Sequence, residues 1–285
     1  MNKKYFIRFF VVVLFITVIL LTRTSFPAAA VYSIIYNVNF HNSSIQITAP
    51  TINNASVDKF LTVAGKTSHE IIFICLKGPA GEISVYPVEV INDKFEKNIW
   101  LRFGSGTYTI WAGDNNQQFD GSIRFIVQNI SQADYRYTTP SGYVNSDDTE
   151  IIKIANSLVT DKMTNLQKTK VIYDFVAQTI KYDYDVSMYG ENQLNTATSV
   201  LHSQLGICRD FAFTFAAIAR AAGIPTRVVY GETLNTITNE IDLHAWNQSY
   251  INRSWINIDT SWNAGFNTPD QIFAKTHSVT SITIF

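Results

Sequence analysis

Three residues in the second half of the chain carry side chains that could form a nucleophilic site: Cys208, His244 and Asp259. Cys208 follows a glycine and an isoleucine and begins a run that is apolar almost all round, so we predict that it lies in the first turn of a buried helix. The amino terminus of a helix favours a thiolate, which is the competent nucleophile. An imidazole can activate the sulfur, and a carboxylate can fix the imidazole tautomer. These residue types indicate acyl transfer through a thiol.

The elements that must position these residues can be read from the surrounding pattern. His244 is predicted to begin a strand over 244–251, and Asp259 to end the next strand over 254–259. A hairpin turn at Asn252-Arg253-Ser254 would pair the two strands antiparallel and bring both residues to the same open end. The Cys208 helix should run to residue 222, where Gly223 ends it. Spacing alone does not prove that the hairpin meets the helix.

Two more helices are predicted before Cys208, each with a capping box. Asp147 with Glu150 starts the first, and Thr164 with Gln167 starts the second. The order is helices followed by an antiparallel sheet, which is typical of an α+β domain.

Two further residues are candidates for the wall of the site. An oxyanion needs preorganised donors, for which the backbone N–H of Cys208 is one candidate and Gln204, four residues earlier, a second. Trp246 is a candidate for the cleft wall, with a core position as the alternative. We expect the other histidines to be structural; they are His41, His69, His202 and His277.

The first half of the chain after residue 30 has a different pattern, with short period-2 runs separated by turn residues. These runs lie at 34–40, 60–64, 70–76, 83–91, 99–103, 107–112 and 122–129. They predict an all-β immunoglobulin-like sandwich over 31–138, although the Cys–Trp–Cys signature of true immunoglobulin domains is absent. Cys75 is interpreted as strand core. A Cys75–Cys208 disulfide is the alternative in an oxidising compartment, but it would block the nucleophile.

Residues 1–30 are interpreted as a targeting segment. A basic start (Lys3, Lys4, Arg8) precedes an apolar run over 9–21 and an Ala-Ala-Ala sequence at 28–30, which is the pattern of a secretory signal peptide. An uncleaved amino-terminal anchor is the alternative. In either case we expect the rest of the chain to be extracellular or at the cell surface, with membrane contact only through this segment.

The composition excludes several classes of protein. A formal net charge of −1 argues against a protein that holds nucleic acid by electrostatics, and two cysteines are too few for a disulfide scaffold. The polar run over 114–121 is not a calcium loop, because Val127 would occupy the position that needs a bidentate glutamate. We expect no metal and no cofactor, since acyl transfer through a thiol needs neither.

Residues 139–285 resemble the transglutaminase-like superfamily, a group of thiol enzymes with a papain-type core, and in particular its exported bacterial members. The resemblance is carried by four stretches of sequence, GICRDFA (206–212), AAGIPTR (221–227), HAWN (244–247) and WINID (255–259). It implies an α+β transglutaminase-like or papain-like domain after the sandwich. It also implies Cys208 as nucleophile, His244 as base and Asp259 as the residue that orients the base.

Three functions follow as hypotheses. The first is a cell-surface thiol enzyme that acts on protein or peptide amides, including those of the cell envelope, with hydrolysis ranked slightly ahead of transamidation. The second is a binding or adhesion module that keeps the fold without using the triad. In the third, the sandwich docks the substrate.

Overall fold

The first half of the described chain folds into two β-sheets that share one hydrophobic core. The computed structural model describes residues 38–189, 193–234, 240–262, 266 and 270–283, so the segment 1–30 and most of the run at 34–40 lie outside it. One sheet has three strands in the order β1-β3-β6, and the other has five in the order β2-β8-β7-β4-β5. The strands are β1 (Ile45–Ala49), β2 (Ala55–Val57), β3 (Phe60–Thr67), β4 (Ile71–Lys77), β5 (Ile83–Glu89), β6 (Lys94–Trp100), β7 (Gly106–Gly113) and β8 (Arg124–Asn129).

Alternating side chains from both sheets meet between them. Val63 and Ile99 from the three-stranded sheet pack in one cluster with Ile72, Ile110 and Val127 from the five-stranded sheet, and all are fully buried. This is the two-layer packing of a β-sandwich. The predicted all-β region in front of an α+β domain is confirmed.

One strand of this region differs from the prediction. The run at 99–103 was expected to be a strand, but β6 instead covers Lys94–Trp100. Its charged residues alternate with the buried Phe95 and Ile99 along an edge of the three-stranded sheet. Edge strands tolerate charged side chains, so the first and last residues of this strand cannot be found by looking for an apolar run. The strands β1 and β2 were not predicted.

The second half contains six helices and six strands within the described residues. The helices are α1 (Thr149–Leu158), α2 (Asn165–Thr179), α3 (Tyr184–Tyr189), α4 (Ala197–Ser203), α5 (Cys208–Ala221) and α6 (Asp270–Thr276). The strands β9 (Lys181–Tyr182) and β10 (Leu205–Gly206) form a short parallel pair, and the strands β11 (Thr226–Leu234), β12 (Ile241–Ile251), β13 (Ser254–Ile258) and β14 (His277–Thr283) form a sheet in the order β13-β12-β11-β14. None of the described helices combines the length and the hydrophobicity needed to span a membrane.

Helix α5 lies at the centre of this second half. Its phenylalanines 211, 213 and 215 and Ile218 are all at least 97% buried, as the apolar pattern predicts. The helix begins at Cys208 and is followed by Gly223 with a φ of 80°, which confirms the predicted end. Helices pack on one side of α5 and the sheet packs on the other. The position of Cys208 is therefore fixed by the best-buried element of the domain.

Of the two predicted capping boxes, the one at the start of α2 is found and the one at the start of α1 is not. Thr164 and Gln167 form the expected capping box at the start of α2. The prediction for α1 is wrong by one residue, because the Glu150 N–H donates to Asp148. Asp147 instead lies 3.9 Å from Lys97 of β6.

The segment that joins the two halves is held by arginine side chains from each half. Arg220 of α5 donates from Nη1 to the carbonyl of Thr139 at 3.1 Å, and Arg102, which follows β6, donates to the carbonyl of Arg136 at 3.0 Å. Gly142 lies against the backbone of Val85 in β5. Residues Val38–Phe285 form one compact unit, in which the two larger hydrophobic clusters are the cores of the two halves.

The Gly142 contact gives a prediction about stability. A Cβ at this position would collide with the carbonyl oxygen of Val85, and backbone cannot move aside as a side chain can. We expect Gly142→Ala to lower the free energy of unfolding by about 2–4 kcal/mol, measured by urea denaturation. Gly113→Ala is the matched control, because its Cβ would meet the Phe119 ring at an ordinary 3.5 Å. Equal losses in the two variants would show that the contact between the halves is loose.

Candidate active site

Cys208 is held at the amino terminus of α5 by the turn that precedes it. Asp210 accepts a hydrogen bond from the Ile207 N–H at 2.9 Å, which satisfies one of the free donors at the helix start. Gly206 makes room for this carboxylate, since a Cβ there would lie 2.6 Å from the Asp210 Cβ. Cys208 is partly exposed, whereas Arg209 and Asp210 are buried. The local sequence therefore presents the thiol at the surface of an otherwise buried helix.

His244 and Asp259 are brought together by the β12–β13 hairpin. Asn252 and Arg253 form its turn with φ values of 51° and 67°, and the strands pair from Ile251 with Ser254 to Asn247 with Ile258. His244 Nε2 lies 2.8 Å from Asp259 Oδ2, and the two side chains are only 4% and 1% exposed. The predicted hairpin is found, with His244 and Asp259 near its open end. His244 does not begin its strand, however, because β12 starts three residues earlier, at Ile241, where it pairs with β11.

The Asp259 carboxylate binds the residues that follow it in the chain as well as His244. Its Oδ1 accepts hydrogen bonds from the Ser261 N–H at 3.0 Å, the Ser261 hydroxyl at 2.8 Å and the Trp262 N–H at 3.1 Å. Aspartate commonly binds backbone two and three residues onward in this way. The carboxylate is thereby fixed so that Oδ2 faces the His244 ring.

The charges of the pair follow from these contacts. Burial alone would lower the pKa of His244, but hydrogen bonds to Asp259 and Cys208 outweigh it and raise the pKa to about 9. Burial alone would raise the pKa of Asp259, but hydrogen bonds from His244, His277 and Ser261 hold it well below its usual range. At neutral pH the site therefore contains an imidazolium beside a carboxylate.

Cys208 also contacts the His244 side chain. A hydrogen bond between the two side chains contributes to the raised pKa of His244. Because Nε2 faces Asp259, Nδ1 is the ring nitrogen available to the sulfur. An imidazolium beside a thiol stabilises the thiolate and can afterwards deliver its proton to a leaving group. The structure thus brings the three predicted residues into one chain of contacts.

The raised pKa of His244 can be checked directly. Histidine ordinarily titrates near 6.5, so protonated His244 stabilises the folded chain below that pH, and this contribution is lost as the pH rises through about 9. We expect the imidazole resonances of His244, followed by NMR, to titrate with a midpoint near 9. A midpoint at or below the ordinary value would show that Asp259 does not hold the charge.

The two remaining predicted residues, Gln204 and Trp246, lie in different surroundings, one exposed and one buried. Gln204 is the C-cap of α4 in the left-handed region, with a φ of 54°, and it is exposed. Trp246 is 1% exposed, packs 6.1 Å from the His244 ring and donates its indole N–H to Asn257 at 3.3 Å. The buried Trp246 ring thus packs against the His244 ring. Its contribution to a cleft, and that of Gln204 to an oxyanion hole, stay predictions.

Two further aromatic residues, Trp262 and His277, lie beside the site. Trp262 is 41% exposed and its ring centroid lies 5.0 Å from that of His244, so it covers the histidine from the solvent side. His277 is buried and contacts Asp259 Oδ2 from β14 at 3.2 Å. The Asp-x-Ser-Trp order at 259–262 could have indicated the first contact, whereas no local signal indicates the second.

A cavity of about 590 Å³ opens beside the site. Its lining includes Tyr182, Phe211 and Ser261, with Lys170 and Asp174 of α2 contributing charged groups. Phe211 lies one helical turn after Cys208, and Ser261 binds Asp259. The cavity is therefore lined by neighbours of Cys208 and Asp259 in the sequence, although the three reactive side chains themselves are not part of its lining.

The second half of the chain is similar to known proteins. A family model described as the transglutaminase-like superfamily matches residues 152–260. The human and mouse proteins called kyphoscoliosis peptidase are 26% and 25% identical over 120 residues, which are 40% of this chain and 18% of each relative. The chain therefore spans less than a fifth of the length of these relatives.

Solved structures also match parts of the chain. A structure titled as a candidate cysteine protease from Cytophaga hutchinsonii matches with a TM-score of 0.42 and 17% identity, over 87% of this chain and 74% of that chain. The red sea bream transglutaminase matches with a TM-score of 0.33 and 12% identity, over 73% of this chain and 49% of that chain.

The segment that matches the family model contains the whole of α5 and the β12–β13 hairpin. It therefore includes Cys208, His244 and Asp259, the residues that the resemblance in sequence singled out. Residues 152–260 of this chain therefore match the transglutaminase-like superfamily both in the family model and in the residues that carry the resemblance.

Proposed function

We propose that this chain is a thiol enzyme that cleaves or transfers amide acyl groups through Cys208, His244 and Asp259. The observation that carries the proposal is the buried 2.8 Å contact between His244 and Asp259 beside a partly exposed cysteine at a helix amino terminus. Neutral residues in these positions would suffice for packing. A buried charged pair next to a nucleophile is instead typical of a catalytic site.

The contacts support a two-step reaction. The Cys208 thiolate attacks the carbonyl carbon, and His244 gives its Nδ1 proton to the amide nitrogen as the C–N bond breaks, so that an amine leaves and a thioester remains. In the second step water or an amine attacks the thioester, and His244 takes up the proton of the attacking group. Asp259 holds the imidazolium through both steps.

The developing oxyanion needs donors at the start of α5. The backbone N–H of Cys208 lies in the first helical turn, where it has no partner within the helix. Gln204 is the candidate for the second donor, because its left-handed backbone at the end of α4 leaves the side chain exposed four residues before the cysteine. Non-glycine residues in this conformation occur often at functional sites.

We rank hydrolysis ahead of transamidation. The matched human and mouse relatives are named as peptidases, although the chain covers only 18% of each of them. The neighbouring cavity, with aromatic and charged lining residues, is large enough for side chains of a protein or peptide substrate. Both reactions form a thioester on Cys208. Whether hydrolysis or transamidation follows depends on whether water or an amine reaches that thioester.

One experiment separates the two reactions. The full chain is incubated with glutamine-containing peptides, with and without a fluorescent primary amine, and the products are identified by mass spectrometry. We expect hydrolysed peptide to exceed amine-labelled peptide, and Cys208→Ala to form neither, while Cys75→Ala forms both at wild-type rates. Unchanged peptide with the wild-type chain, or equal product from Cys208→Ala, would contradict the proposal. A Cys208→Ala chain that kept its biological effect would favour the binding-module alternative.

We also propose that the enzyme acts outside the cytoplasm. The support is the basic and apolar pattern of residues 1–30. Amino-terminal sequencing of the exported chain should give Val31 as the first residue. A chain that begins at Met1 on the cell surface would favour the anchor, and a chain confined to the cytoplasm would contradict export.

A further inference from the structure

A second histidine is buried against the carboxylate that orients His244. His277 begins β14 and pairs with Thr233 of β11, which places its ring behind Asp259. Its Nε2 lies 3.2 Å from Asp259 Oδ2, the same oxygen that faces His244, and its side chain is 1% exposed. His277 lies outside residues 152–260, which match the family model.

The other nitrogen of His277 is also satisfied. Nδ1 lies 2.8 Å from the Thr276 hydroxyl, and that hydroxyl lies 3.2 Å from the carbonyl oxygen of Phe273. In a neutral ring with its proton on Nε2, the hydroxyl donates to Nδ1. In a protonated ring, Nδ1 donates to the hydroxyl, which then donates to Phe273. His277 can therefore donate to Asp259 from Nε2 in either charge state.

Aromatic packing holds the ring in this orientation. The Phe273 ring is stacked on His277 with centroids 3.8 Å apart, and Trp246 and Trp262 lie edge-on at 5.2 and 5.3 Å. Both tryptophans also contact His244. The same aromatic surround therefore fixes both imidazoles around one carboxylate.

We propose that His277 is a positioning residue that acts through Asp259. It gives Oδ2 a second fixed donor, so that the carboxylate can neither rotate away from His244 nor exchange its two oxygens. With Ser261 and Trp262 on Oδ1, Asp259 accepts five hydrogen bonds in all. The inference rests on the proposed function, because orientation of His244 matters only if Cys208 is a nucleophile.

The same three residues also have the types of a zinc ligand set. His244, Asp259 and His277 offer ligand atoms that all lie within 4.8 Å of one another. Two observations favour hydrogen bonding. Both Nε2 atoms lie at hydrogen-bond distance from a single oxygen, and the remaining nitrogen of His277 has its own partner. A bound metal is accordingly an outcome that would overturn the proposal.

The test compares two substitutions of His277. His277→Phe keeps an aromatic ring against Phe273 but removes the donor, whereas His277→Gln restores a donor at the position of Nε2. Alkylation of Cys208 by iodoacetamide in the full chain, followed by peptide mapping, is measured across the pH range. His202→Phe is the control, because His202 lies at the surface and contacts Glu150.

We expect His277→Phe to slow alkylation about tenfold at neutral pH, the effect of one hydrogen bond to a charged group, and His277→Gln to recover to within about threefold of wild type. In the His277→Phe variant the rate of Cys208 alkylation should begin to fall at a pH closer to neutral than in wild type. The reason is that Asp259 loses a hydrogen-bond donor that lowers its pKa. The titratable groups that face Asp259 are His244 of β12, His277 of β14 and Tyr173 of α2, with Cys208 of α5 beyond His244. The His202 control should match wild type.

Several outcomes would overturn the inference. Equal rates for wild type and His277→Phe would show that His277 has no effect on the site, and equal losses for Phe and Gln would show a packing role only. If His244→Ala is alkylated as fast as wild type, the proposed function fails and the positioning role fails with it. The first two results leave the proposed function intact, so the two failures are distinguishable.

A measurement on the wild-type chain does not depend on how the variants fold. The Nε2–H proton of His277 should give a slowly exchanging imidazole resonance by NMR, coupled through space to the His244 ring. Absence of that resonance, together with one tightly bound zinc ion per chain in the purified protein, would overturn the proposal in favour of a metal site.

Discussion

Asp259→Asn is expected to lower the rate of amide turnover by about three to four orders of magnitude, the scale found when a triad aspartate becomes an amide. The reason lies in the donors around the side chain. Ser261 and Trp262 require an acceptor on one side, so the amide oxygen takes that place and the NH2 group faces the histidines. His244 must then carry its proton on Nδ1, toward Cys208, and can no longer take the proton from sulfur.

Turnover of a glutamine-containing peptide by wild-type and variant chains measures this effect. Asp134→Asn is a suitable control, because Asp134 is an exposed residue that contacts Arg136. Urea denaturation of both variants separates a loss of activity from a loss of fold. A decrease of less than about tenfold in Asp259→Asn would mean that the carboxylate does not orient the base.

Selective labelling of Cys208 over Cys75 is the second large effect, and we expect a ratio of at least about a thousand at neutral pH. Cys75 is 7% exposed, and burial raises its pKa to about 11. Only about one in ten thousand Cys75 side chains is then a thiolate at neutral pH. Cys208 is partly exposed and lies beside the His244 imidazolium.

The ratio is measured by iodoacetamide labelling of the folded chain with peptide mapping at increasing times. Both cysteines are free, so neither is masked by a disulfide. Labelling in denaturant supplies the control, since the two rates should converge once burial and the His244 contact are lost. Equal rates in the folded chain would contradict the assignment of Cys208 as the nucleophile.

The parts of the site that could be predicted from sequence are those fixed by local signals. The apolar run after Cys208 predicts a buried helix, and the turn at Asn252-Arg253 predicts the hairpin that joins His244 to Asp259. Each signal lies within the element that it predicts. The positions of these residues on their elements were therefore predictable, although their meeting in space depends on the whole fold.

His277 shows why the rest could not be predicted. Its contact with Asp259 requires β14 to pair with β11, whose residues are more than forty positions earlier in the chain. No spacing rule links the two histidines, so His277 was interpreted as structural. Strand β2 was missed for the same reason, because its three residues form a strand only through parallel pairing with β8.

Two errors have a local cause. Asp147 and Asp148 are adjacent acidic residues, and either could cap α1 by type, but in the fold only Asp148 accepts from the Glu150 N–H, whereas Asp147 lies on the side of Lys97, 3.9 Å away. The limits of β6 were misplaced because its lysines and glutamate were taken for a turn, whereas they form the exposed face of an edge strand. In both cases the sequence allowed two positions for the cap or for the strand, and only the contacts of the folded chain distinguish them.

The most direct test of the proposed function is to trap the acyl group on Cys208. The full-length chain is mixed with a complex peptide library, quenched in acid after a short time and mapped by mass spectrometry. We predict an adduct on the peptide that contains Cys208, released by hydroxylamine as a thioester must be, and absent from Cys208→Ala. An adduct on another residue, or no hydroxylamine-sensitive adduct at all, would contradict acyl transfer through Cys208.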